Sequence, residues 1–192
     1  MGIVSILILV AVAVVVIFFI IVFNTLVTLK HNVAKAWANI DVVLKQRHDE
    51  LPKLVETCKQ YMKYEQDTLE KVMLARSRVA DARQQHNVGA LGAAEGALRA
   101  GLGTLFAVAE AYPELKTDET FQHLQARISN LENVIADRRE FYNDSVNVNN
   151  VRIEQFPDVI VARMFNFKPF TLLEFDAAQT ADVDVKQLFG AS

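Results

Sequence analysis

Four histidines, one cysteine and a set of glutamates and arginines at helical spacing are the side chains through which this 192-residue chain could do chemistry. A di-iron centre in a helical bundle needs Glu-x-x-His pairs, because that spacing turns both ligands inward from one helix. The residues three before the histidines are Thr28, Lys45, Arg83 and Thr120, so the motif is absent. Glu119 and His123, four apart, could share a helix face, but one such pair is commoner as a solvated surface contact than as a metal site. His48-Asp49 opens an HD-type phosphohydrolase signature without the further His and Asp ligands that such a centre needs. No GxSxG elbow presents a nucleophilic serine. Gly101-Leu102-Gly103 has no preceding strand to make it a phosphate cradle. Cys58 falls on an apolar helical stripe, the setting of a buried, inert thiol, and as the single cysteine it excludes a disulfide scaffold or a CxxC motif. Asn143-Asp144-Ser145 matches a glycosylation triplet, but it falls within a helix.

The remaining acid/base candidates are Glu56, Glu65 and Glu132 with Arg47, Arg76, Arg138 and Arg139. An inter-helix ion network accounts for them better than a reaction does. Such pairs fix register and partner choice while adding little net stability, and removing one partner strands a charge. Together with Asn149 and Arg152, which lie on a seam described below, the expected structural polar network is Arg47, Glu56, Glu65, Arg76, Glu132, Arg138, Asn149 and Arg152. No catalytic residue, metal or cofactor is expected.

The elements that must position these residues are helices. Ile3–Phe23 is a run of 21 residues in which Ser5 is the one polar side chain. As a helix it spans roughly 31 Å, about the hydrocarbon thickness of a bilayer. It lacks the basic n-region and small-residue cleavage site of a signal peptide, so it reads as a retained anchor. Neither Gly nor Pro occurs between Ile3 and Leu51, and Leu26, Leu29, Val33, Ala36, Ile40 and Val43 continue an apolar stripe at spacings of three and four. The anchor should therefore run on into the first soluble helix. His48-Asp49-Glu50-Leu51-Pro52 reads as a break and restart, with Asp49 as N-cap. A second helix to about Gln85 follows, with Leu54, Cys58, Met62, Leu69, Val72 and Val79 on one stripe. Five of the seven glycines lie between Gly89 and Gly103, which suggests a flexible turn into a third helix that Pro113 ends at Tyr112. Gly92 and Gly96 have GxxxG spacing, which outside lipid reads as close packing or fraying. Thr117 or Asp118 can cap a fourth, longest helix, where Phe121, Ile128, Ile135, Tyr142, Asn149 and Phe156 recur every seven residues. Their companions Leu124 and Leu131 give way to Arg138, Ser145 and Arg152, so the seam turns polar. The expected fold is all-α: a single transmembrane helix at residues 1–23, an antiparallel up-and-down four-helix bundle at 24–160 and an irregular, Phe-rich C-terminal tail at 161–192.

A net charge of −3 without a basic block speaks against nucleic acid as a partner. Lys30 and Lys35 beside the apolar run, with Lys45 and Arg47 beyond, favour an outside N-terminus and a cytoplasmic bundle. In the tail, Phe165, Phe167, Phe170, Phe175 and Phe189 occupy the last 28 residues. Beside Arg163 and Lys168, these rings suit a membrane interface or a neighbouring subunit. Equally, the tail could strap back over its own bundle and complete the core. Phe165, Phe167 and Phe170 are the residues on which that alternative turns.

Several segments in order resemble the LemA family of bacterial membrane-anchored helical proteins. They are Trp37-Ala38-Asn39-Ile40-Asp41, Leu44-Lys45-Gln46-Arg47-His48-Asp49, Leu51-Pro52-Lys53-Leu54-Val55-Glu56-Thr57, Glu110-Ala111-Tyr112-Pro113-Glu114-Leu115-Lys116, Tyr142-Asn143, Phe156-Pro157 and Phe165-Asn166-Phe167-Lys168-Pro169-Phe170. The family usually has a basic pair near Gln46-Arg47 and His-Glu near Tyr64-Glu65, and Gln46 and Tyr64 depart from that pattern. The resemblance implies a four-helix bundle on an N-terminal anchor, placed in the cytoplasm of a bacterial inner membrane. It also implies no established enzymatic activity and an association with membrane and envelope processes. The expected function is a non-catalytic scaffold that contacts the lipid bilayer and self-associates as a homo-oligomer. The alternative is a stress or signalling adaptor to another membrane protein complex.

Overall fold

The computed structural model describes residues 2–174, and among them every regular element is a helix. Six follow in order: α1 Ile3–Tyr61, α2 Gln66–Gln84, α3 Val88–Ala109, α4 Pro113–Thr117, α5 Glu119–Glu154 and α6 Asp158–Met164. They divide between two compact units. The first holds the residues up to Gln46 and Leu131–Leu172, and the second holds Arg47–Asn130 with Leu173 and Glu174.

In the first unit, α1 opens with apolar side chains that touch almost nothing. Ile3 is 80% exposed, and only 6% of the most apolar stretch of the helix is buried. Burial begins at Val22 and continues through Leu26, Val33, Ala36, Ile40 and Val43, the stripe that the helical spacing marks. Val22 and Leu26 share a cluster with Ile153, Val161 and Ala162, against which Phe19, Phe23 and Phe167 pack. On α5, Leu131, Ile135, Tyr142, Val146 and Asn149 are buried. The Trp37 and Tyr142 rings meet edge to face with centroids 5.6 Å apart. The seven-residue series does not reach Phe156, because α5 ends at Glu154 and Phe156 is 81% exposed. Pro157 disfavours helical backbone in the residue before it.

The second unit begins where a break was expected, and there is none. α1 passes through Pro52 without interruption to Tyr61. A proline inside a helix leaves the carbonyl four residues back without its N–H donor, here that of His48. Arg76 Nε of α2 donates to that carbonyl at 2.9 Å, so the helix continues with its orphan satisfied. The chain turns instead at Met62–Glu65, and α2 starts at Gln66. α2 packs along α3, burying Leu69, Val72, Ala75, Val79 and Ala82 on one side and Leu91, Ala94, Leu98, Leu102 and Leu105 on the other.

The glycine-rich stretch is helical, contrary to the flexible turn expected there. α3 begins at Val88, with Asn87 Oδ1 accepting from the Ala90 N–H at 3.0 Å as the N-cap, and all five glycines lie inside it. At Gly92 the need for glycine is steric: a Cβ there would sit 1.9 Å from the Glu174 carbonyl oxygen. α3 ends at Ala109 rather than Tyr112, and the short α4 follows with Pro113 in its first turn. Asp118 caps α5, its Oδ1 accepting from the Phe121 N–H at 2.8 Å.

Two helices end in the same device. His86 and Asn166 take left-handed φ values of 52° and 55°. After α2, His86 N–H donates to Arg83 and Asn87 N–H to Ala82; after α6, Asn166 N–H donates to Arg163 and Phe167 N–H to Ala162. These are Schellman caps, closed by a histidine and an asparagine where glycine is the usual choice.

Candidate functional site

Charged side chains inside the second unit are held by one another. Arg47 and Glu95 form an ion pair in which the two side chains are 1% and 3% exposed. Arg47 follows from the α1 stripe, where it takes the place of an apolar residue one turn before Leu51. Its partner stands on α3 among Leu91, Ala94 and Leu98. A pair so enclosed holds two helices in one register, and removing either side chain strands a charge. One turn along, buried Glu50 accepts from Lys53 Nζ at 3.2 Å and pairs with Arg127 of α5 at 3.1 Å. His48 is pushed below the usual imidazole range, first by burial and then by the Arg76 cation, with Asp49 opposing the shift. Burial pushes the Cys58 thiol up to about 12, so the thiolate that would act as nucleophile or ligand is not formed near neutral pH. Tyr61 donates to Asp118 Oδ2 at 3.0 Å. The Phe121 N–H and that hydroxyl together hold the Asp118 carboxyl below its usual value.

In the first unit the polar groups fasten the chain after α6. Asn150 Nδ2 donates to the Phe170 carbonyl at 2.8 Å, and the Phe170 N–H donates back to Asn150 Oδ1 at 2.9 Å. Tyr142 adds a bond from its hydroxyl to the Thr171 carbonyl at 2.9 Å. Arg152, at the end of α5, forms an ion pair with buried Asp158 in the first turn of α6. The Phe23 ring lies 4.7 Å from that of Phe165 and 6.1 Å from that of Phe167, centroid to centroid. The stretch 165–171 is thus strapped to α1 and α5 of its own unit, with Phe167 and Phe170 half-buried. Phe175 and Phe189 lie outside the described residues.

The eight residues expected to form a polar network are divided between the two units. Arg47 has its partner in Glu95 and Arg76 in the His48 carbonyl. Glu56 is exposed on α1 and lies 3.7 Å from Lys59. Glu65 precedes α2, where its carboxylate is a hydrogen-bond partner of Tyr112, whose hydroxyl is raised by burial first and by that carboxylate second. Glu132 is half-buried, Arg138 exposed, and Asn149 buried with Nδ2 donating to Asn150 Oδ1 at 3.2 Å. Sequence reasoning missed Glu95, Glu50, Asn150 and Asp158. A signal existed for Asn150: Asn143, Asn147, Asn149 and Asn150 crowd one helix that their propensity disfavours, so some of them need a use outside it. Glu119 and His123 are both exposed. Among the described residues no three His, Cys, Asp or Glu side chains gather as a metal ion would require.

Comparison with known proteins now adds kinship to this geometry. Magnetosome proteins MamQ 1 and MamQ 2 of Paramagnetospirillum magneticum are each 32% identical over 100 residues, 52% of this chain and 37% of theirs. Magnetosome protein MamQ of Magnetospirillum gryphiswaldense is 30% identical over the same length and shares. The chain therefore matches little more than a third of the length of these curated relatives. The model of the LemA family matches residues 36–187, from just before Trp37 on α1 past the strap that closes on Phe23 and Asn150. A match over that much of the sequence is decisive: the chain belongs to the LemA family.

Proposed function

We propose that this protein is a membrane-anchored, non-catalytic scaffold that self-associates, its soluble helices forming an antiparallel bundle on a single transmembrane helix. One observation carries the reading: an apolar helical surface from Ile3 to Phe18 that packs against almost nothing, on a helix whose apolar stripe from Val22 onward is buried. Water does not support such a surface, and a bilayer does. The buried charges of the soluble part serve as pairs between elements, which fits structure better than turnover. Kinship with the LemA family and with proteins named for the magnetosome supports membrane association without catalysis. Exposed Phe141, Val148 and Val151 on α5 supply an apolar surface for a second copy. The domains follow as an anchor at 1–23, a bundle at 24–160 and a tail at 161–192. Lys30 and Lys35 support a cytoplasmic bundle in the bacterial inner membrane with the N-terminus outside.

Gentle detergent extraction of the full chain, followed by particle mass measurement, tests the scaffold. A homogeneous homo-oligomer is expected, shifted toward monomer by Phe141→Ser with Val148→Ser. A monomeric particle refutes self-association, and stoichiometric co-purification of a different membrane protein favours the adaptor. Protease added to intact spheroplasts should leave the bundle uncut, and digestion there reverses the orientation.

A further inference from the structure

A groove of about 490 Å³ opens in the first unit between α1 and the loop that follows α6. Its walls change character along α1. Phe23 and Val27 form the apolar end, and Lys30 and His31 follow. Phe165 meets Phe23 from the loop, and Lys168 of the same loop is a second lysine in the lining. Among the described residues no Asp or Glu lines the groove.

The position of this groove relative to the apolar span follows from helix geometry. α1 is continuous from Ile3, and its run of apolar residues ends at Phe23. At 1.5 Å per residue, Lys30 stands about 10 Å beyond Phe23. The headgroup layer adds about 5–8 Å on each side of the hydrocarbon, and a helical lysine leans back toward the N-terminus, which brings the Lys30 ammonium to headgroup depth when the span fills the hydrocarbon layer. The loop is also fixed in advance. Its start is pinned by the Schellman cap at Asn166 and its end by the paired Asn150–Phe170 bonds, so Lys168 lies between two anchored points. A site whose backbone is already ordered loses less entropy on binding.

We propose that this groove holds one anionic phospholipid, with its phosphate between Lys30 and Lys168 and its glycerol and upper acyl carbons against Phe23, Val27 and Phe165. The inference rests on the reading of Ile3–Phe23 as a membrane span. A soluble phosphate ester would satisfy the two cations but leave the apolar end of the groove without a use. A zwitterionic lipid would bring its own cation into a site that holds no carboxylate.

The test uses the full chain in detergent, titrated with phosphatidylglycerol or with phosphatidylcholine of the same acyl chains and read by native mass spectrometry. Phosphatidylglycerol should be retained preferentially. Lys30→Gln with Lys168→Gln should cut its retention roughly 25-fold, at about fivefold for each cation near a headgroup. Lys63→Gln with Lys71→Gln removes the same charge far from the groove in sequence, from the turn before α2 and from α2, and should change little. Equal retention of the two lipids, or the same loss from both double exchanges, overturns the proposal. So does binding of free glycerol phosphate as tight as that of the lipid. Carbonate-resistant membrane association of the unaltered chain is measured in parallel. Its loss would fail the anchor reading itself, whereas its persistence without lipid preference would fail only the groove.

Discussion

A proline within a helix normally costs about 3 kcal/mol, partly through the acceptor it leaves unsatisfied. Here a guanidinium from another helix meets that acceptor, which makes Arg76 and Pro52 a coupled pair. Arg76→Ala should destabilise the detergent-solubilised chain by about 1–3 kcal/mol, the cost of orphaning a buried carbonyl. In a Pro52→Ala background the helix regains its own N–H donor, and the same change should cost less by about 1 kcal/mol or more. A thermodynamic double-mutant cycle measures the difference, and additive effects would show that Arg76 acts by packing alone. His48 provides a second residue-level outcome. Its folded pKa is depressed, so the folded state favours the neutral ring while the unfolded state takes up the proton more readily. Its contribution is therefore complete above the ordinary value of 6.5 and is lost as pH falls below it. Thermal midpoints recorded from pH 8 down to 5 should decline, and His48→Gln should flatten that decline.

At the scale of elements, the glycines of α3 offer the sharpest test. Gly92→Ala gains about 1 kcal/mol of helix propensity, but its Cβ would overlap the Glu174 carbonyl and lift the neighbouring Leu173 from its buried place. Full burial of a leucine contributes about 1.5–3 kcal/mol, so a net loss of about 1–2 kcal/mol is expected. Leu173→Ala should then cost little more in the Gly92→Ala background than that background already does, as denaturant unfolding would report. This position also shows why some elements were legible and others not. The stripe from Leu26 to Val43 is read from spacing alone, because burial on one side of a helix leaves a period in the sequence. The cap at Asp118 is equally local. Pro52 and the glycines misled, since both ordinarily interrupt helices and what sustains the helices here is distant in sequence: Arg76 at Pro52, and packing along α2 for the glycine-rich α3, where Glu174 also demands a glycine at Gly92. At Met62–Glu65 the chain turns without a Gly or a Pro, and nothing local announces it. The candidate site divides in the same way. Arg47 and Glu95 each stand as a charge in an apolar stripe, but they lie 48 residues apart and no local pattern links the two.

For the whole molecule, the broad class was legible in composition and periodicity, because a 21-residue apolar run followed by stripes at helical spacing matches an all-helical chain that opens on one long apolar helix. The two units differ in how their chain segments come together. Among the described residues the second has its partners in one stretch, Arg47–Asn130, joined by Leu173 and Glu174, whereas the first unites the beginning of α1 with Leu131–Leu172. This arrangement sets an order of events during translation. The middle of the chain has nearly all its contacts at hand once Asn130 has been made. Val22, Leu26 and Phe23 must wait for Ile153, Val161 and Phe167, which emerge far later. The two segments of the first unit therefore join last, after the central helices have paired. A polypeptide released early, short of Phe165, would leave the ribosome with Phe23 lacking both rings that pack against it.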